Sequence, residues 1–378
     1  MPSLQDGGHF LEVGFAALSA DAPHEAENPA QDGPAEQQVA REQGALGSHA
    51  PVVADQEGDY ILDKPKTKAQ TGGNLGAPVM NADIFAPHFQ DADKAREYLE
   101  ALRWPNGPVC PHCGVVGEHY ALKGAAHRPG LMKCKDCRKQ FSVTVGTVFE
   151  RSKIALNKWL MAVHLMCASK KAMSSHQIHR MLGVTYKTAW FMTHRIREAM
   201  KTSGAGLLGA GGGTVEADET YWGHNGKQRK GARGYQHKMK VVSLVERGGE
   251  KRSMVVPAVT GKTLRVTLEA NVCKTAHLMT DEHAGYTKVG REFASHGVTR
   301  HSAGQYAIGN IHSNTVESSF SLLKRGLVGT FHHVGEQHLQ RYVTEFDFRW
   351  NHRKTTDALR SEMLLSQVGG KRLTYSHT

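Results

Sequence analysis

Two sets of residues in this chain are spaced for chemistry. Cys110-Pro-His-Cys113 and Cys134-Lys-Asp-Cys137 are paired thiols, with twenty residues between the pairs. Knuckles of this kind hold four sulfurs in a tetrahedron, and with all four positions filled by protein the implied ion is one structural Zn²⁺. His112 and His119 lie nearby and are left over once four thiolates complete the shell. The second set is acidic. Thr214 to Gly223, TVEADETYWG, places Glu216, Asp218 and Glu219 in an apolar, β-prone run; AHLMTD ends in Asp281; HSNTVESSFSLLKR carries Glu317. Carboxylate oxygens gathered in twos and threes hold hard divalent cations, which serve the chemistry of phosphate esters.

The elements around the acids decide which of them can meet. Segments 214–223, 237–248 and 251–260 alternate as strands joined by short polar turns, 263–272 has helical spacing, and 276–281 is an apolar strand. Three antiparallel strands, a helix and a fourth strand is the order of ribonuclease H-like folds, in which the first and fourth strands are parallel neighbours. Asp218 and Asp281 then come together. Alternation puts Glu216 on Asp218's face and Glu219 on the other, so Glu216 is the geometric rival of Asp218. Glu317 starts a helix whose buried stripe is Val316, Phe320 and Leu323, and Lys324 falls two turns later on Glu317's own face. Asn314-x-x-Glu317 is also a capping-box spacing, so capping and metal binding both stand for Glu317. Lys324 is either a phosphate contact or a plain surface lysine.

Upstream, DADKAREYLEAL from Asp91 to Leu102 is an amphipathic helix leading into the cysteine knuckles. Lys133, Lys135, Arg138 and Lys139 around the second knuckle suit phosphate contact or a solvated rim. An apolar helix spans 156–168, with His164 and Cys167 as packing residues. Met173 to Met200 then reads as helix, Gly183-Val184-Thr185 turn, helix, with Ser174 or Ser175 capping the first and Thr185 the second. As a helix-turn-helix, the second helix would present Tyr186, Lys187, Arg195 and Arg197 to DNA, with Trp190, Phe191 and Ile196 as the apolar seam. An ordinary αα-hairpin has the same pattern. Downstream, a basic, glycine-broken loop at 224–238 suits contact with DNA. Arg349, Asn351, His352, Arg353 and Lys354 form a second basic cluster, either tracking DNA or ending a helix in solvent. His332 and His333 take no ligand role.

Charge agrees with a polyanionic partner. The formal net charge is +11, yet the first seventy residues hold 12 Asp and Glu against 4 Lys and Arg, so the remainder is more basic still. No apolar run approaches the about 18 residues of a membrane span, which excludes a membrane-spanning helix and points to a cytoplasmic protein without a membrane partner. The expected organisation is a disordered acidic extension at 1–75, with a short apolar patch from Phe10 to Leu18, and an N-terminal helix and zinc ribbon at 80–147. A helix-turn-helix follows at 150–203, a glycine-rich linker at 204–213, a mixed-sheet α/β catalytic domain at 214–354 and a C-terminal tail at 355–378. Regular sequence begins at Met80, which raises the expectation that translation starts there.

The motifs together resemble a known family. CPHC with CKDC, ADETYWG, LMTDEHAGY, HSNTVESSFSLLKRGLVGTFHHV and FDFRWNHR, spread over about residues 80 to 354, are similar to the DDE transposases of bacterial insertion sequences, in the group with an N-terminal zinc ribbon. In that group two aspartates and a glutamate about 35 residues beyond the second bind catalytic metal. The resemblance implies that Asp218, Asp281 and Glu317 hold two Mg²⁺, or Mn²⁺, and that Lys324 is the basic residue following the glutamate. Thirty-five residues separate Asp281 from Glu317 in this chain. The implied activity is cleavage and transfer of DNA strands, with terminal inverted repeats and target DNA as partners and a homo-oligomer formed on DNA. A domesticated or inactive DNA-binding regulator, and a ribonuclease H-like nuclease or resolvase, are the alternatives.

Overall fold

The computed structural model describes residues 84–202, 206–224 and 234–375. The expectations for the acidic extension, the Phe10–Leu18 patch and the Met80 start lie outside the described residues, as do 203–205 beside the linker and 225–233 of the basic loop.

A short α1 (Pro87–Gln90) leads into α2 (Ala92–Arg103), which begins where expected because the Asp91 carboxylate accepts the backbone N–H groups of Asp93 and Lys94. The knuckle region forms a three-stranded antiparallel sheet of β1 (His119–Ala121), β2 (Met132–Cys134) and β3 (Gln140–Phe141). The strand expected to run to Val145 stops at Phe141, where a turn closes from Val145 N–H to the Ser142 carbonyl. Helix α3 (Leu156–Ala168) buries Trp159, Leu160, Val163, Met166 and Cys167, and its His164 is also buried. Next come α4 (Ser175–Leu182) and α5 (Tyr186–Ala199). Ser174 and Thr185 cap them by accepting the N–H groups of Gln177 and Thr188, and Gly183 ends α4 at φ 59°, a left-handed conformation suited to glycine.

The second region is built on a five-stranded sheet. β4 (Thr214–Trp222), β5 (Met239–Glu246) and β6 (Lys251–Val256) are antiparallel. After α6 (Gly261–Asn271), β7 (His277–Thr280) lies parallel to β4, and after α7 (Tyr286–Gly290), β8 (Ser295–Val298) lies parallel to β7. The spatial order is β6-β5-β4-β7-β8, with β4 central as expected. One face of the sheet buries Val215, Ala217 and Leu244 with Leu264, Leu268 and Tyr286 from α6 and α7. The other face packs on α8 (Asn314–Gly326), a π-helical turn (Leu327–Phe331) and α9 (Glu336–Asn351), through Val241, Leu323, Leu339, Val343 and Phe346.

Residues 355–378, expected only as a tail, contain α10 (Asp357–Ser366). Ala358, Leu364, Leu365 and Val368 join the core that also holds Leu99, Trp159 and Leu160. Gly370 N–H bonds to the Gly146 carbonyl at 2.8 Å, and the Tyr98 hydroxyl reaches Glu362 at 3.2 Å. The helices and ribbon near the start of the described chain are therefore completed by its last elements. Among the described residues, no helix is long and apolar enough to cross a membrane.

Candidate active site

Strand register brings the first two acids together. Glu216 pairs with Met279 across the parallel β4–β7 ladder, and two further residues along each strand are Asp218 and Asp281. Their proximity shows in the ionisation of Asp218. Burial first, then the charge on Asp281, with smaller contributions from Glu219 and Glu317, push its carboxyl up to about 8, against one hydrogen bond from Glu219 N–H that favours the charged form. Glu317 reaches the same region from α8, which packs against β4 and β5.

Each of the three carboxylates is half committed. Asp218 Oδ1 accepts from Glu219 N at 2.7 Å, and Asp281 Oδ1 accepts from His283 N at 3.1 Å. Glu317 Oε1 accepts from the Ser313 hydroxyl at 2.7 Å, with His301 Nε2 at 3.5 Å. The second oxygen of each has no hydrogen bond among the described residues. Three hard oxygens without donors among the described residues, one of them on an aspartate whose ionisation is opposed by burial and by Asp281, fit a divalent cation. The acids do not converge as tightly as the thiols. Among the described residues, only the four cysteines bring three or more ligand atoms within 4.8 Å of one another.

Glu216 is removed as a rival. It is fully buried, and both its oxygens are taken. Oε1 accepts from Arg247 Nε at 2.6 Å and from the Thr315 hydroxyl at 2.8 Å, while Oε2 accepts the backbone N–H groups of Thr315 and Val316 at 2.8 and 3.0 Å. These are N–H groups of the first turn of α8, which lack intrahelical partners and sit at the positive end of the helix dipole. Arg247 extends the tie to the Asn310 and His312 carbonyls. Glu216 thus fixes the helix that carries Glu317. The capping-box alternative for Glu317 is also revised: Ser313, not Asn314, is the N-cap residue, and Glu317 bonds to its hydroxyl.

Glu219 does face the opposite side, where it accepts from the buried Tyr286 hydroxyl at 3.1 Å. The turn after β7 wraps round the end of β4, so His283 Nε2 lies 3.8 Å from Glu219 and the charge of Asp281 still reaches it. Sequence reasoning missed Arg247, His301, Ser313 and Tyr286 as supports. An unpaired acid at Glu216 in a buried strand was the available signal for a basic partner. Lys324 is exposed, on Glu317's face and two turns away.

At the knuckles, Cys110 Sγ lies 3.6 Å from Cys137 Sγ, and Cys113 Sγ lies 3.6 Å from Cys134 Sγ, so each close pair joins the two knuckles. Although burial opposes it, backbone N–H groups of His112 and Cys113 bring the Cys110 thiol down to about 7, while desolvation and the neighbouring thiols hold Cys113 and Cys137 above their ordinary value, so a metal must displace protons from the set.

Of the expected DNA contacts, Tyr186 and Lys187 are exposed at the start of α5, the tyrosine stacked on His176 at 4.2 Å and the lysine 5.1 Å over the Tyr375 ring. Arg195 and Arg197 require correction. Both are buried, because the C-terminal half of α5 packs against α3 and α9 instead of facing solvent. Arg195 donates to the Glu150 carbonyl, and Arg197 donates to Glu345 at 2.7 Å beneath the Tyr342 ring. Arg349 is corrected likewise: its side chain is 10% exposed and donates to Glu345 and to the Met166 carbonyl. Arg353 is exposed over the Trp350 ring at 4.5 Å.

Comparison with known proteins bears on both regions. Residues 210–351 match the ISXO2-like transposase domain, and residues 90–140 match the transposase zinc-ribbon domain. A protein of Halobacterium salinarum, described as an uncharacterized protein in transposable element ISH50, is 30% identical over 282 residues, covering 69% of this chain and 91% of the relative.

Proposed function

The chain belongs to the ISXO2-like transposase family, and from that premise we propose that it binds the ends of an insertion sequence and catalyses metal-dependent cleavage and transfer of DNA strands. The observation that carries the proposal is that Asp218 on β4, Asp281 just beyond β7 and Glu317 on α8 are brought to one region, each with an oxygen that accepts no hydrogen bond among the described residues. The sheet order β6-β5-β4-β7-β8, with β4 and β7 parallel, supports a ribonuclease H-like catalytic domain.

In this mechanism Asp218, Asp281 and Glu317 would hold two Mg²⁺ or Mn²⁺. Those ions would supply activation of an attacking oxygen and stabilisation of a leaving one at a phosphodiester. Glu216 and Arg247 keep the start of α8, and so Glu317, in position. Lys324 offers a cation to a phosphate. Asp218, whose carboxyl is raised to about 8, would release its proton to solvent on taking up a cation. The four cysteines hold one structural Zn²⁺ that shapes the ribbon. Tyr186 and Lys187 at the exposed start of α5 act as the reading end of a helix-turn-helix, and Arg353 contacts the DNA backbone. Joining two element ends to one target calls for at least two copies of the chain on DNA.

Strand transfer with an oligonucleotide bearing the element's terminal inverted repeat, in Mg²⁺ or Mn²⁺, tests the proposal. Wild type should cleave and join, and Asp218→Asn should do neither while still binding. Cleavage without joining assigns a nuclease instead, binding without either assigns a regulator, and full activity in Asp218→Asn defeats the site.

A further inference from the structure

Two acids beside the carboxylate site have no oxygen to offer it. Glu219 follows Asp218 on the opposite face of β4, and Glu282 follows Asp281 in the turn after β7. The Glu219 side chain is 7% exposed, within reach of the charges on Asp218 and Asp281. Burying an acid next to other acids opposes folding, so its presence points to a role other than stability.

Both acids tie down the same short segment, Asp281 to Tyr286. Glu219 Oε2 accepts from the Tyr286 hydroxyl at 3.1 Å, and its Oε1 lies 3.8 Å from His283 Nε2. Tyr286 is 1% exposed and packs with Leu264 and Leu268 under the sheet, so its hydroxyl is a fixed donor. On the other side, Glu282 accepts the Ser302 backbone N–H at 3.0 Å and the Ser302 hydroxyl at 2.6 Å. The neighbour of Ser302 is His301, whose Nε2 lies 3.5 Å from Glu317. Within the segment the turn closes on itself: Asp281 Oδ1 accepts His283 N–H at 3.1 Å, His283 Nδ1 accepts Gly285 N–H at 3.1 Å, and Tyr286 N–H reaches the His283 carbonyl at 3.0 Å. An accepting Nδ1 leaves the ring hydrogen on Nε2, the atom toward Glu219. Gly285 permits this closeness, since a Cβ there would meet Leu264 at 2.7 Å and His283 Nδ1 at 2.9 Å. Asp281 therefore sits on a turn tied to β4 through Glu219 and to the His301 and Glu317 side through Glu282.

We infer that Glu219 and Glu282 are positioning residues, which hold the turn bearing Asp281 at a set spacing from Asp218 and from Glu317 and touch no substrate. The inference rests on the proposed reading of those three acids as ligands of a divalent cation. Mg²⁺ demands near-ideal octahedral ligands, whereas Ca²⁺ accepts a looser set. A displaced Asp281 consequently costs Mg²⁺ more than it costs Ca²⁺. Groups that orient a metal ligand are each worth about ten- to a hundredfold in affinity.

Calorimetric titration of the intact protein with MgCl₂ and, separately, CaCl₂ tests the inference, alongside amide exchange of the cation-free protein. Tyr286→Phe keeps every charge and the buried ring and deletes only the bond to Glu219. Its Mg²⁺ affinity should fall about tenfold and its Ca²⁺ affinity less, and exchange at His283 and Gly285 should quicken. Glu282→Ala should repeat the selective loss of Mg²⁺, while Glu282→Gln, which keeps an acceptor for Ser302, should lose less. Wild-type Mg²⁺ affinity in Tyr286→Phe, or equal losses of Mg²⁺ and Ca²⁺, overturns the positioning role. Failure of the wild type to bind either cation defeats the ligand reading itself, and exchange then decides the anchoring alone: unchanged rates at His283 and Gly285 in Tyr286→Phe remove it, and quickened rates retain it.

Discussion

Asp218 keeps a proton at a pH where an ordinary aspartate has lost it. Burial and the neighbouring Asp281 raise its carboxyl from 3.8 to about 8. A carboxyl raised on folding stabilises the fold fully below its unfolded value, and that contribution is lost as pH rises through the folded value. In buffer without divalent cations, the melting temperature should fall from about pH 4 to about pH 8 and level off above it, and Asp218→Asn should flatten the fall; scanning calorimetry reads it. A bound divalent cation must displace the same proton. Its affinity should therefore rise with pH up to about 8, with about one proton released per binding event, measurable as heat in buffers of different ionisation enthalpy. A pH-independent affinity would remove Asp218 from the ligands. At this scale, spacing marked the four thiols, while the resemblance to the transposase family singled out Asp218, Asp281 and Glu317 from among the acids. Arg195 and Arg197 were misread because a charged residue on a helix is normally exposed, and what buries Arg197 is Glu345 on α9, 148 positions along the chain.

Helix α8 takes its place from the Glu216–Arg247 ion pair as well as from its own buried stripe of Val316, Phe320 and Leu323. Glu216→Ala would take from the Arg247 guanidinium its counter-ion and leave two N–H groups at the helix start without their acceptor. Such a loss costs about 2–3 kcal/mol by denaturant unfolding, because buried N–H groups lose their acceptor while the partly exposed Arg247 keeps its bonds to Asn310 and His312. Amide exchange should quicken at Thr315 and Val316, and strand transfer should fall though Glu216 touches no substrate. Normal exchange and activity in that variant would show that α8 is held by packing alone. In the ribbon, three strands of two or three residues cannot bury a core unaided. Stripping zinc should accordingly lower the melting temperature and destroy the β1–β3 sheet, read by circular dichroism with and without restored Zn²⁺. Helices α2 to α6 and strands β4 to β7 were legible because caps, glycine turns and alternation agreed with the tertiary fold. The short β8 was not: Ser295–Val298 reads Ser-His-Gly-Val, too brief and polar to signal a strand.

For the molecule as a whole, the sequence suggested modules strung in order, and the contacts join the ends. Residues Leu99, Trp159 and Leu160 share one core with Ala358, Leu364, Leu365 and Val368. The weak signal for α10 was apolar recurrence over a single short helix, and its partners lie 193 to 264 residues away in sequence, as in the Arg360–Cys167 and Tyr98–Glu362 bonds. Truncation before α10 should expose that core, so that residues 84–202 become sensitive to protease and bind a hydrophobic dye while the five-stranded sheet persists. Equal protection of both regions after truncation would refute the shared core. Biosynthesis inherits this arrangement. Domains usually fold on the ribosome as they emerge, first elements first. Here the ribbon and the helices beside it wait for α10, synthesised after the whole sheet, so a stalled or prematurely terminated chain never owns a finished N-terminal core. An early stop codon would then yield a clipped product deficient in folding, ill suited to act as a competing half-protein.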